Sequence, residues 1–298
     1  MNPILISVVG TTASGKSGLG IDLAAHFGGE VVSADSRQVY RGLDLGTGKV
    51  TPEECRGVPH HLLDIIDPGT PFSMAEYQPL AYEAIDGILA RGKVPFLVGG
   101  TGLYARAVTS GYRLVEVVPD ETFRAEMEKK PRAELVRAIA AYGVDASDPQ
   151  ISPRRLVRIL EKLRAGAPAE NESHPRYKTL QFGLTWERDV LYRRIEERLD
   201  ARLDAGMVDE IRGLLESGVS PEFLDRLGLE YRYTTWYLQG RFSDFSGYRE
   251  KLLTEIRRFA KRQQTWFRRD ADIIWLDSAG DYTAQAVSLT EAFLAHNA

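Results

Sequence analysis

Ile4-Leu5-Ile6-Ser7-Val8-Val9 runs directly into Gly10-Thr11-Thr12-Ala13-Ser14-Gly15-Lys16-Ser17, and a helical pattern follows as far as Phe27. The octet satisfies G-x-x-x-x-G-K-[ST]. Its place between a buried strand and a helix gives that pattern its meaning, because a glycine turn without a ligand needs neither neighbour. The glycines let backbone N–H groups close round phosphate oxygens, and the helix N-terminus adds about half a positive charge. Lys16 can neutralise a terminal phosphate, and Ser17 can ligate Mg²⁺. The loop Gly10, Thr11, Thr12, Ala13, Ser14, Gly15, Lys16 and Ser17 is therefore the expected phosphate-binding segment.

Outward from the loop, short apolar runs alternate with helical patterns. Val31–Ala34 and Val94–Val98 read as further strands, and Ser73 with Glu76 forms a capping box opening a helix that runs to about Ala90. Alternation of this kind predicts a parallel sheet covered on both faces. The fold class is α/β, a P-loop NTPase-like sheet core flanked by helices and carrying a small helical insertion domain. From Tyr112 to Arg176 no strand is expected, and Ser152-Pro153 reads as the N-cap and first residue of a helix bearing Leu156, Ile159, Leu160 and Leu163. Gly166–Lys178 reads as a linker, and Leu180–Leu184 as a strand. Leu191, Ile195, Leu199, Leu203, Met207 and Ile211 then mark one long amphipathic helix, and Leu252 to Phe267 another; DIIWLD (272–277) is a last strand before a terminal helix. The expected organisation is 1–111 for the first part of the core, 112–178 for the insertion, and 179–298 for the rest.

With 298 residues, 43% hydrophobic and 27% charged, the composition is that of a folded globular chain and excludes a disordered or collagen-like one. The balance of 38 basic against 42 acidic residues supplies no global field toward nucleic acid, so a polyanion would need basic groups gathered on one face. Cys55 is the only cysteine, which excludes an intrachain disulfide and a Cys-cluster zinc site. No run approaches a membrane span, and MNPILISVVG lacks a cationic leader, so a soluble, cytoplasmic monomer with no membrane partner is expected.

The loop says what is held, not what is done to it. A typical P-loop NTPase carries a Mg²⁺-holding Asp at the end of a neighbouring strand, whereas Val94–Val98 ends in Gly99-Gly100-Thr101-Gly102. The acid sits elsewhere. Asp35 follows the second strand, at the carboxyl edge of a parallel sheet beside the loop, where it can bind metal through water or take a proton from a nucleophile. GTTASGKS, VVSADSRQVYRGLDLGTGK (31–49), VPHHLLDIIDP (58–68), VGGTGLY (98–104) and KRQQTWFR (261–268) occur in this order. Together they make the chain resemble the bacterial tRNA dimethylallyltransferases over nearly its whole length.

That resemblance implies transfer of a dimethylallyl group from dimethylallyl diphosphate to N6 of the adenosine beside the tRNA anticodon, with diphosphate as leaving group and Mg²⁺ as cofactor. It implies Asp35 as catalytic base, Ser17 as the loop hydroxyl, and Arg198, in Arg194-Ile195-Glu196-Glu197-Arg198, as the residue steadying the departing diphosphate. Read alone, an Arg beside two Glu is more often part of a solvated salt-bridge face. The resemblance places tRNA contacts at Asp35, Ser36, Arg37 and Gln38, and at Thr101 and Arg124. It places others along two basic helices: Arg154, Arg155 and Arg158, with Lys162 on the same polar side, and Arg258, Lys261, Arg262 and Arg268. His60 and His61 point to different faces and lack carboxylates at ligand spacing, so a structural role is expected. Three departures stand out. Thr11 replaces the usual Pro, Glu230-Tyr231-Arg232 replaces Gly-Tyr-Arg, and the stretch from Pro119 to Ser152 is short. Rival readings are a prenyltransferase of free adenine nucleotides, a P-loop small-molecule kinase, and a non-catalytic RNA-binding protein.

Overall fold

The computed structural model describes residues 3–114 and 117–297. The chain forms two compact units, one up to Thr109 and again from Pro175, the other Ser110–His174. In the larger unit, strands β1 (Ile4–Gly10), β2 (Glu30–Ser33), β3 (His60–His61), β4 (Pro95–Gly99), β7 (Lys178–Thr185) and β8 (Ile273–Asp277) pair in parallel in the order β3-β2-β4-β1-β7-β8. The smaller unit holds a two-residue antiparallel ribbon, β5 (Tyr112–Arg113) with β6 (Glu172–Ser173). This corrects the strandless reading of the middle segment, because a strand of two residues is too short to display a period. It also places Pro175–Lys178, read as linker, at the entry to β7.

Burial on both faces explains the continuous apolar runs. Leu5, Val9, Val32 and Leu97 point to a layer containing α3 (Met74–Ala90) and α4 (Gly102–Thr109), with Tyr77, Ile85, Ile88, Tyr104 and Val108. Ile6, Val8, Val31, Phe96 and Phe182 point the other way, to Leu19 and Leu23 of α1 (Lys16–His26) and Ala286 of α13 (Tyr282–Asn297). The Ser73–Glu76 capping box opens α3. A single capped turn, α2 (Pro52–Cys55), precedes β3. In β3, His60 Nδ1 meets Val58 O at 2.8 Å and His61 Nε2 meets Glu30 at 2.7 Å, so both histidines are structural.

A helical layer completes this unit: α8 (Arg188–Asp204), α9 (Met207–Glu216), α10 (Pro221–Leu227), α11 (Leu229–Leu238) and α12 (Phe245–Phe267). The apolar period through Ile211 does not make one helix. Gly206, at φ 98°, ends α8 and starts α9, a conformation side-chain-bearing residues disfavour. Leu191, Ile195, Met207 and Ile211 still share one core with Tyr231 and Tyr248. Among the described residues, no helix is long and apolar enough to cross a membrane.

In the smaller unit, α5 (Glu121–Met127), α6 (Arg132–Ala140) and α7 (Pro153–Arg164) bury Phe123, Leu135, Ile139, Leu156 and Leu160. Ser152 caps α7 as its sequence requires. Lys162 is a correction. It is buried, and its Nζ donates to Ala169 O and Asn171 Oδ1, because the helix face it occupies is covered by the returning chain. Buried Glu161 accepts from Asp120 N (2.8 Å), from Arg124 Nε and Nη2 (3.0 and 2.9 Å), and from Arg158. Burial works against its charge, yet these donors outweigh it and hold the carboxyl below the usual range. A carboxyl depressed in the folded state stabilises it above the unfolded pKa and loses that contribution as pH falls through the folded one. Glu161→Gln is expected to cost about 1–3 kcal/mol and to remove part of the acid sensitivity of α5 and α7, read by hydrogen exchange on the whole chain.

Candidate phosphate and acceptor site

The glycine loop turns between β1 and α1 through Gly10, Ala13 (φ 59°) and Gly15. Side chains from distant parts of the chain fasten its outer edge. Trp186 Nε1 donates to Ser14 O at 2.7 Å, Arg194 Nε to Ala13 O at 2.9 Å, and Arg198 Nη2 to Thr12 Oγ1 at 3.0 Å. From α12, Gln263 accepts from Thr12 N at 2.9 Å and donates to Gly100 O at 3.0 Å, tying the loop to the end of β4. That end must be glycine: a Cβ on Gly99 would overlap the Ala34 backbone, so only glycine lets β4 lie against the turn carrying Asp35. Tyr77 OH donates to Ser33 O at 3.0 Å and secures the same turn from α3.

One cavity is lined by Thr12, Lys16, Ser17, Asp35, Arg37, Gln38, Gly99, Gly100, Arg198 and Gln263, among others. Asp35 accepts from Arg37 N at 3.0 Å, which orients its carboxylate as an Asx-type turn does. Thr101 Oγ1 accepts from Ser36 N at 3.0 Å. Arg194, Arg198 and Arg202 form a stripe at i, i+4 and i+8 on α8, a like-charge spacing that an isolated helix disfavours. Burial, with Arg198 nearby, pushes Lys16 down to about 8. Burial, with Arg202, pushes Arg198 down to about 9, still charged at neutral pH. Arg37 behaves differently. Burial opposes its charge, but Glu230 and Asp35 raise its pKa above the ordinary value. The cavity thus concentrates desolvated cations around the glycine loop, an arrangement suited to an anion.

A groove of about 510 Å³ adjoins the cavity, sharing Arg37, Gly100 and Gln263 with it, and displays Ser36, Thr101, Arg232, Phe259, Arg262 and Trp266. Arg37 and Arg262 lie over the Phe259 ring at 5.7 and 5.8 Å. The basic residues of α12 do not share one face. Arg262 faces this groove, Lys261 and Arg268 line a separate groove of about 670 Å³ with Trp186, Tyr192 and Asp277, and Arg258 pairs with Glu255. In the smaller unit, Arg124 and Arg158 are held by Glu161, while Arg154 and Arg155 are exposed beside Glu128 and Glu170. Arg198 is not part of a salt-bridge face: Glu196 pairs with Arg249 and Arg257 instead. Gln263, Trp186, Arg194 and Arg202 escaped the sequence reading, and Glu230 entered it only as a departure from the family pattern, not as the partner of Arg37 and Arg202. The arginine stripe was visible as a period of four, but nothing local says that it faces the loop.

A family model described as IPP transferase matches residues 38–270, and one described as isopentenyl transferase matches residues 3–66. The chain is 44% identical to tRNA dimethylallyltransferase 2 of Shewanella sediminis, over 95% of this chain and 96% of that one. It is 43% identical to the tRNA dimethylallyltransferase of Desulforudis audaxviator, over 92% of each. The crystal structure of the tRNA isopentenylpyrophosphate transferase of Bacillus halodurans superposes with a TM-score of 0.74 at 38% identity, covering 98% of this chain and 96% of that one.

The lowered pKa of Lys16 has a measurable consequence. A bound polyanion favours the charged amine, so binding is supported fully below about pH 8 and weakens as pH rises through the bound-state value. The wild-type affinity for inorganic diphosphate, divided by that of Lys16→Ala to cancel the ligand's own ionisation, is expected to fall up to roughly ten-fold per pH unit between about pH 8 and the bound-state value. Calorimetric titrations across the range check this.

Proposed function

The chain belongs to the IPP transferase family, and on that premise we propose that it transfers a dimethylallyl group from dimethylallyl diphosphate to N6 of the adenosine next to a tRNA anticodon. The observation that carries the reading is the sharing of one cavity by a carboxylate, Asp35, with Lys16, Ser17 and Arg198. In that arrangement Lys16, Arg198 and the loop amides bind the diphosphate, and Asp35 faces the acceptor. The N6 lone pair forms the new bond to the allylic carbon while the carbon–oxygen bond to diphosphate breaks, and Asp35 accepts the proton N6 loses. Lys16 supports donor binding from the start, whereas Arg198 gains most as charge collects on the leaving group.

Mg²⁺ fits the donor set in one way. No cluster of three or more His, Cys, Asp or Glu among the described residues could hold a metal, so the ion would take most of its ligands from diphosphate oxygens and water, with the Ser17 hydroxyl. When bound, it would offset charge on the leaving group. Asp35, Ser36, Arg37, Gln38 and Thr101 line the acceptor side. An adenine inside an anticodon loop must leave its stack to react, and the groove with Phe259, Trp266 and Arg262 supplies the rings and cation that such a base accepts. Lys261 and Arg268, which form no ion pair among the described residues, and Arg154 and Arg155 offer further phosphate contacts. Arg124 and Arg158, held by Glu161, would present only what that carboxylate leaves free. The kinase reading is disfavoured because β4, directly beside β1, ends in two glycines and carries no metal-binding acid.

Asp35→Asn keeps the shape of the side chain and removes the base. Single-turnover transfer to tRNA is expected to slow by roughly 10²- to 10⁴-fold with tRNA affinity little changed. Transfer within a few-fold of wild type would assign the proton to another group.

A further inference from the structure

Glu230 is the acid that stands where the resemblance places glycine, and it is almost fully buried at 6% exposure. Its Oε2 accepts from Arg37 Nη1 at 3.2 Å, and its Oε1 lies 3.7 Å from Arg202 Nη1. Both arginine side chains are themselves largely shielded from solvent, with exposures of 19% and 11%. Arg202 stands one turn beyond Arg198 on α8, and a second small cavity is lined by Thr12, Arg198, Arg202 and Glu230 together. A carboxylate buried here without partners would be costly, and so would the two arginines without an anion. The pairing is built into the backbone as well. The neighbouring Tyr231 OH donates to Glu210, which also accepts from the N–H groups of Asp44, Leu45 and Gly46, just ahead of the cavity-lining Thr47 and Gly48.

The charges that line these two cavities can be counted. Lys16, Arg37, Arg198 and Arg202 supply four positive charges, and Asp35 and Glu230 supply two negative ones. With glycine at 230 the excess would be three instead of two. A polyanion that must be held before transfer and released after it is sensitive to that difference.

We propose that Glu230 limits the charge of the diphosphate site, pairing with Arg37 and Arg202 and offsetting part of their positive charge so that diphosphate can leave. The role as a release device rests on the proposed transferase reading; the effect on diphosphate affinity does not.

The test is calorimetric titration of the intact protein with inorganic diphosphate and Mg²⁺, without tRNA. Wild type, Glu230→Gln and Lys16→Ala are compared. Loss of one negative charge beside Arg37 and Arg202 is expected to tighten diphosphate binding in Glu230→Gln roughly ten-fold, while Lys16→Ala weakens it. Under steady-state transfer, Glu230→Gln is expected to lower KM for the prenyl diphosphate and kcat together, as slower diphosphate release would do. A purely structural carboxylate would instead weaken binding as the arginines lose their places. Unchanged or weaker diphosphate binding in Glu230→Gln, with Lys16→Ala still impaired, overturns the inference alone. Wild type that fails to bind diphosphate overturns the phosphate site itself, and this inference with it. Should Glu230→Gln not fold, Glu230→Gly carries the same expectation, since glycine is the residue the resemblance places at this position.

Discussion

Lys16, Arg37, Arg198 and Arg202 are gathered where water is largely excluded, and their mutual repulsion constrains the rest of the site. Desolvated like charges stay together only if backbone dipoles, buried acids and rigid neighbours hold them. Each of these supports is present. α8 delivers its arginine stripe to the loop's outer edge, where Arg194 and Arg198 bond Ala13 O and Thr12 Oγ1. Gln263 of α12 joins the loop to Gly100, and Gly99 lets β4 close on the turn of Asp35. The parallel sheet matters because it brings the carboxyl ends of β1, β2 and β4 to a single edge.

The same concentration of charge accounts for the chemistry. A site that strips water from cations interacts strongly with a diphosphate and more strongly as charge builds on it. A leaving group needs that stabilisation, and it needs no acid at the end of β4. The groove proposed for the acceptor is different in character: half-buried aromatic rings and Arg262 form an open surface that meets the cavity at Arg37, Gly100 and Gln263. α12 separates this groove from the one bearing Lys261 and Arg268, so its basic residues serve two surfaces.

Much of this was legible in the sequence because it is local. The glycine loop needs eight consecutive residues, and Asp35 lies just beyond an apolar run that could only be a strand. The capping residues Ser73 and Ser152 also marked their helices. Arg198 was legible only through resemblance, since its flanking Glu196 and Glu197 suggested an exposed helix face and only the packing of α8 against the loop reverses that. Gln263 and Glu230 act across 251 and 193 residues of sequence, on Thr12 and Arg37, and no period or spacing encodes such a contact. Lys162 misled for the opposite reason: its place among Arg154, Arg155 and Arg158 suggested a solvated face, and the chain at Ala169 and Asn171 returns to cover it. The apolar period from Leu191 to Ile211 was real, but Gly206 divides it between two helices that share one core.

The central claim is that the cavity moves a prenyl group onto an adenine base within tRNA. It is tested most directly by incubating the protein with Mg²⁺, dimethylallyl diphosphate and an equal mixture of unmodified tRNA and AMP, then weighing the nucleosides from each by mass spectrometry. The account predicts a dimethylallyl increment on adenosine from tRNA alone, with one diphosphate released per group transferred. An increment on AMP, or diphosphate released with tRNA adenosine unchanged in mass, would contradict it.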